Sequence, residues 1–350
     1  MMKQREGNYD ILRFAAAAAV VIAHCTAAFI ETVIWDFKDG LPLNHPLYSC
    51  VYEGLMRFSV PAFLMLTGAF LLHDERTKDW KQFYARSWKK IGIPAAAAIA
   101  FAVVYNLVTV GFLDGQGIGA ALMPLLSGAP FYHLWYLPVM GVCYAAAPWL
   151  ARMKAEIGEK AFIRVSLAML LLGCLGLWLN EPVINHWFIG EGVCYLGYMM
   201  MGDVLRFHHG ENRGGLLIAL LSLVPAALAG VLLYRSLMAG ADRTLAEHQL
   251  IMSYSPLIVL SSILVFAVFS RMHVRAPHPR LYAHTYEIYL LHAFVLDVII
   301  RISRHFFGQR WLTHLDARIA PFGLAALVYI LCYMIGGLLR KRGRRASVTM

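Results

Sequence analysis

Arg13 and His24 stand eleven positions apart in the stretch YDILRFAAAAAVVIAHC, residues 9–25, which an ordinary membrane helix would build without either of them. At about 100° per residue, eleven positions make about three turns plus 20°, so both side chains leave the same helix face. A rise of about 1.5 Å per residue separates them by roughly 16 Å along the axis. Asp10, three positions before Arg13, is spaced to hold the guanidinium. An arginine near a helix end can also snorkel to the headgroups; a histidine eleven residues deeper cannot, and its plain alternative is a hydrogen bond to a neighbouring helix. Imidazole gains and loses a proton near neutral pH, which suits it to take a proton from a hydroxyl and hand it on. The alanines at 15–19 leave room beside the line from Arg13 to His24.

Ionisable groups in a bilayer core cost about 2.5–3.5 kcal/mol each on insertion scales, so they mark functional paths. Besides Asp10, Arg13 and His24, the apolar stretches hold Glu53, Arg57, His133, Glu191, Asp203, Glu287, His292 and Asp297. Glu53 and Arg57 are spaced i, i+4 with the acid first, the favourable order for an ion pair, which by itself is a sufficient structural account. Pro61 and Gly68, just beyond, are expected to bend or loosen that helix. FYHLWYLP, residues 131–138, concentrates His133, Trp135 and Tyr136 where an aromatic belt is expected. In TYEIYLLHAF, residues 285–294, Tyr289 and His292 share a face with Glu287 nearby. The segment DERTKDWKQFYARSWKKIGIP, residues 74–94, mixes Lys78, Lys81, Arg86, Lys89 and Lys90 with Trp80, Phe83, Tyr84 and Trp88. Such a stretch reads first as an amphipathic helix at the membrane surface; the same residues suit phosphates and an aromatic base.

The elements that must position these groups are membrane helices. The 350 residues are 59% hydrophobic and 15% charged, with mean hydropathy +0.59, against about 45–50% apolar and 25% charged in soluble domains. Stretches long enough to span, about 20 apolar residues each, fall near 10–34, 47–72, 91–113, 133–150, 162–180, 187–205, 214–234, 249–270, 282–300 and 319–339. The expectation is an all-α polytopic protein of about ten transmembrane helices. A single transmembrane domain would cover 1–345, with a basic cytoplasmic tail over 340–350. With the N-terminus in the cytoplasm, 22 Lys and Arg fall in inner segments and 7 in outer loops, which places both termini inside. The last outer loop is discordant, holding Arg301, Arg304, Arg310 and Arg318. The net charge of +10 follows from that bias, and no nucleic-acid partner is implied. Six cysteines are scattered singly without a C-x-x-C, so neither a disulfide framework nor a metal site is indicated. The first apolar stretch exceeds a 7–15-residue signal core and no A-x-A-like site follows, so it reads as a retained span.

In register along the chain, Asp10 with Arg13-x₁₀-His24, RFSVPAFLMLTGAFLL, FYHLWYLP, YLGYMMMGDVLR and YEIYLLHAF resemble the motifs of acyltransferase family 3, the integral-membrane O-acyltransferases. Within it the nearest resemblance is to enzymes that O-acetylate N-acetylhexosamines of surface polysaccharides. Departures are Thr67 and Glu287 where the family often has Ser and Gly, and Arg86-x-x-Lys89 where it often has Arg-x-x-Arg; Lys89 keeps the charge and loses the planar fork. The resemblance implies a plasma-membrane (inner-membrane) enzyme that moves an acyl group, acetyl from acetyl-CoA as co-substrate without a metal, to a sugar hydroxyl of a polysaccharide or its lipid-linked precursor. The partners would be the acyl-CoA donor, a glycan or lipid-linked saccharide and membrane lipids, with homo-oligomerisation left open. His24 would be general base or acyl carrier, with Arg57 and Glu53 beside it. Asp10, Arg13, Arg86, Lys89 and Lys90 would hold the donor, and His133, Trp135, Tyr136, Tyr289 and His292 the acceptor. The contrasting reading is a transporter or flippase using the buried charges as a relay; no internal repeat supports it, and a passive scaffold would not need so many costly polar groups.

Overall fold

The computed structural model describes residues 7–36, 44–126, 128–176, 190–206, 215–272, 284–308 and 311–348. Among them every regular element is helical. α1 runs over Gly7–Asp36, α2 over Asn44–Met56 and α3 over Ser59–Leu71. α4, Trp80–Ser87, continues through a π-helical turn at Trp88–Gly92 into α5, Ile93–Asn106, and a second π turn at Leu107–Leu113. There follow α6, Gly117–Leu126, α7, Tyr136–Gly176, α8, Gly190–Arg206, α9, Gly215–Ser222, α10, Val224–Met238, and α11, Arg243–Leu250. α12 covers Pro256–Arg271, α13 Thr285–Phe307 and α14 Ala320–Val348.

Among the described residues, five helical stretches are long and apolar enough to cross a membrane: Gly7–Ile30, Pro46–Leu71, Trp80–Leu113, Leu217–Met238 and Ala320–Leu339. The other stretches that the sequence marks as spans are helical but differ in build. α7 joins the fourth and fifth in one 41-residue element that turns sharply at Gly158, whose φ of 77° lies in the region glycine tolerates. α12 is a shorter apolar helix, and α13 carries Glu287, Asp297, Arg301 and Arg304. The first residues of the sixth expected span, 187–189, the discordant Arg310 and the basic leader lie outside the described residues. The segment 74–94, expected as a surface helix, runs instead from Trp80 without a break into the third span: Asp79 caps α4 by accepting from the Gln82 N–H, and the π turn at Trp88–Gly92 leads directly into Pro94 in the first turn of α5.

The bend in the second span sits earlier than Pro61 and Gly68. The helix breaks at Arg57–Phe58, four residues before Pro61, because Pro61 has no N–H for the Arg57 carbonyl and its ring crowds it. Gly68 is a contact rather than a bend. A Cβ there would lie 1.6 Å from the Met199 carbonyl oxygen, and one on Gly202 would lie 1.9 Å from that of Met65, so α3 and α8 meet backbone to backbone through reciprocal glycines. α2 and α10 repeat the device at Gly54 and Gly230. α1 lies at the centre, in contact with α2, α3, α12, α13 and α14. Large apolar side chains such as Phe112 and Leu126 face outward, more than 80% exposed, as membrane-facing surfaces do.

Gly68→Ala or Gly202→Ala forces α3 and α8 apart. Overpacking of this kind costs about 1–3 kcal/mol, occasionally more, so each purified variant is expected to melt at lower temperature than Gly141→Ala, where a Cβ meets open space.

Candidate active site

A cavity of about 450 Å³ opens between α1, the α2–α3 break, the turn before α7, α8, α11 and α13. α1 contributes Val20, Ala23, His24, Ala27, Ala28 and Ile30 to its wall. His24 therefore faces the space and Arg13 does not. Glu53, Arg57, His133, Trp135, Tyr136 and Tyr289 line it too, so the fold brings together residues from four separate sequence motifs.

Glu53 is buried at 3% exposure, held by two partners. Its Oε1 accepts from Arg57 across one helical turn, and its Oε2 accepts from the Thr26 hydroxyl at 2.9 Å. The i, i+4 spacing supplies the first contact and tertiary packing of α1 on α2 the second. The pair fixes Arg57 at the helix break, with its cation on the cavity wall. A buried ion pair resists loss of one member, because the other is left uncompensated.

Three imidazoles meet beside the cavity: His24 and His133 line it, and His292 is buried behind them. The His24 and His292 rings have centroids 5.1 Å apart, and those of His133 and His292 are 4.9 Å apart. His292 Nδ1 lies 2.8 Å from the Tyr289 carbonyl and 3.1 Å from that of Ile288; His133 Nε2 lies 3.2 Å from the Leu290 carbonyl. Carbonyl oxygens only accept, so these nitrogens carry the hydrogens. The remaining nitrogens, His292 Nε2 and His133 Nδ1, are buried without a partner; a hydrogen there would have no acceptor, so each presents a lone pair. His24 differs from both. It makes no hydrogen bond to the described residues and touches Tyr132 edge-on at 5.2 Å between ring centroids. Backbone carbonyls orient two of the rings, and the third is free to bond whatever occupies the cavity.

The two aromatic motifs hold each other. The Tyr289 hydroxyl donates to the His133 carbonyl at 2.9 Å, Phe131 stacks on Phe294 with centroids 4.5 Å apart, and Asn106 donates to the Pro130 carbonyl at 2.8 Å. His133 is 1% exposed and lies in the turn before α7 rather than within a span, so an aromatic belt does not account for it.

The residues expected at a donor site lie elsewhere. Arg13 pairs with Asp10 at 3.1 Å and stands 5.7 Å from the Phe70 ring centroid, with Arg206 at 5.0 Å from the same ring. Ala16, Ala17 and Ala19 are fully packed, so the alanine run lets neighbouring helices approach α1 instead of opening a passage between Arg13 and His24. Arg86 donates to the carbonyls of Gln82 and Arg76, and Lys89 and Lys90 are exposed in the first π turn. Beside them an apolar groove of about 520 Å³ runs between Tyr84, Trp88, Gly92, Leu137 and Tyr144. Sequence reasoning gave no site role to Thr26, Tyr132, Tyr195 and Arg206, marked Asp297 only as a charge within a span and met Arg304 only as an excess charge in a loop. Tyr132 and Arg206 sit inside motifs already quoted, whereas nothing local marks Thr26, which matters only because α2 packs across it. Among the described residues, no group of three His, Cys, Asp or Glu is placed to hold a metal ion.

An acyltransferase domain of family 3 matches residues 6–339, nearly the whole chain. The chain belongs to that family. It is thus a multi-pass membrane acyltransferase by family, and the cavity and the three neighbouring imidazoles lie wholly within the matched region. No curated protein and no solved structure matches the chain.

Replacing Glu53 by Ala removes the buried partner of the Arg57 cation, whose side chain is 26% exposed on the cavity wall. About 3–5 kcal/mol is lost when one partner of a buried pair is removed, so Glu53→Ala is expected to lower the melting temperature sharply, and Glu53→Ala with Arg57→Met less so. Equal melting of the single variant and the parent would show that the pair does not hold this part of the fold.

Proposed function

We propose that the protein is an inner-membrane O-acyltransferase with ten spans and both termini in the cytoplasm. It moves acetyl from acetyl-CoA to a sugar hydroxyl of a cell-surface polysaccharide or its lipid-linked precursor. The observation that carries this reading is the unpartnered imidazole of His24 on the cavity wall, beside His133 and the buried His292, whose rings are held by backbone carbonyls.

A sugar hydroxyl is a poor nucleophile until a placed base removes its proton. In this reading the acceptor oxygen attacks the thioester carbonyl while His24 takes the hydroxyl proton, so a C–O bond forms and the carbonyl electron pair moves to oxygen. The Arg57 cation, kept in position by Glu53, stabilises that oxyanion. Collapse breaks the C–S bond, and the departing thiolate receives the proton from His24. The variant in which His24 first carries the acetyl as an acyl-imidazole uses the same geometry. His133, Trp135, Tyr136, Tyr289 and His292 surround the acceptor. The donor's phosphates bind Arg13, ordered by Asp10, and Arg86, Lys89 and Lys90, with the apolar groove beside Lys89 and Lys90 as the open surface on that side. Because Arg13 lies roughly 16 Å from His24 along α1, a long flexible thioester arm is needed to join the two, and the packed alanine face must part to admit it.

Membranes containing the protein, incubated with acetyl-labelled CoA and a polysaccharide precursor, are expected to transfer label to glycan. His24→Ala should lower the rate about 10²–10⁴-fold, and Arg13→Ala should raise KM for acetyl-CoA more than it lowers kcat. Full transfer by both variants would refute the assignment.

A further inference from the structure

The last outer loop carries more positive charge than orientation allows, and the structure accounts for part of the excess. Arg301 binds both oxygens of Asp114, at 2.9 and 3.1 Å, and donates to Asp297 at 2.8 Å. The hydrogen bonds from Arg301 hold the Asp114 carboxyl below its ordinary range. Arg318 is paired with Asp316. Arg304 has no such account. It has no ion pair among the described residues, and its side chain lies on the wall of the histidine cavity.

On α13, Leu296, Asp297, Ile300 and Arg304 form one stripe along that wall. Asp297 is already engaged by Arg301 and by the Tyr105 hydroxyl at 2.6 Å. Across the mouth, Arg243 and Glu247 line the cavity and neutralise each other at 2.6 Å. His305 follows Arg304 in sequence and packs on Phe306. Of the three guanidinium groups on the cavity wall, Arg57 pairs with Glu53 and Arg243 with Glu247, and among the described residues Arg304 has no direct ion pair. It lies twelve residues beyond His292, roughly 18 Å along the helix axis, on the side of His24 away from Arg13.

We propose that Arg304 binds an anionic group on the acceptor, a phosphate or a carboxylate, carried next to the acetylated sugar rather than on it. This rests on the acyltransferase reading above and names the acceptor's chemical class. A guanidinium at a cavity mouth forms charge-assisted, forked hydrogen bonds to either anion, and 18 Å from the histidines sets the spacing between that anion and the reacting hydroxyl. The acceptor is thereby threaded, with its charged part at the mouth and a hydroxyl at His24.

Calorimetric binding in lipid nanodiscs tests this with three probes: neutral chitotetraose, a hyaluronan tetrasaccharide carrying carboxylates, and a chitobiosyl diphosphate on a short isoprenoid. The parent is expected to bind at least one anionic probe about tenfold or more tighter than chitotetraose. Which one identifies the source of the anion. Arg304→Gln should abolish that preference and leave chitotetraose binding unchanged, and Arg304→Lys should restore part of it. Equal binding of charged and neutral probes, a preference that survives Arg304→Gln, or no binding of any probe would overturn the proposal. Acetyl transfer from labelled acetyl-CoA to the same probes is read separately: a charge preference without transfer refutes the acyltransferase reading and leaves the anion site standing.

Discussion

A charge inside a membrane protein must be matched where it stands, and the Glu53–Arg57 pair with Thr26 is where this chain meets that constraint most tightly. Glu53 is 3% exposed and both its oxygens are taken, one by Arg57 and one by the Thr26 hydroxyl, so α2 presents it to α1 and α1 presents a hydroxyl back. The proline four residues beyond Arg57 then ends the helix at the point where the cation lies. Ion pair, helix break and cavity wall are thus one local arrangement, and His24 occupies the turn of α1 that faces it.

Close helix packing supplies the walls. Reciprocal glycines let α3 touch α8 and α2 touch α10 at backbone distance, which leaves the bulky aromatic groups of the FYHLWYLP and TYEIYLLHAF segments to pack on one another instead. Their mutual hydrogen bonds use backbone carbonyls as acceptors. Side-chain changes nearby would not remove those acceptors, so the ring orientations of His133 and His292 depend on the path of the main chain. His24 is the exception, held by packing alone.

Charge is also unevenly distributed along the axis of α1. Toward the N-terminal end of α1 the cations are Arg13 and, beyond it, exposed basic residues of the α4 region; toward the other end they are Arg243, Arg301 and Arg304, most of them paired. The histidines lie between these two groups, separated from Arg13 by a tightly packed alanine face.

Helical phase, hydropathy and spacing determined much of this from the sequence alone. They placed Arg13 and His24 on one face, paired Asp10 with Arg13 and Glu53 with Arg57, and marked the two aromatic histidine motifs, because 3.6-residue periodicity and the cost of buried charge act locally. The convergence of His24, His133 and His292 belongs to the tertiary structure, since segments more than a hundred residues apart carry them and no periodicity links such positions. The same holds for Thr26 as the partner of Glu53 and for Gly68 as a contact rather than a hinge. Whether the alanines open a passage or close one was likewise decided by neighbours: a small side chain permits both, and here the adjoining helices fill the space.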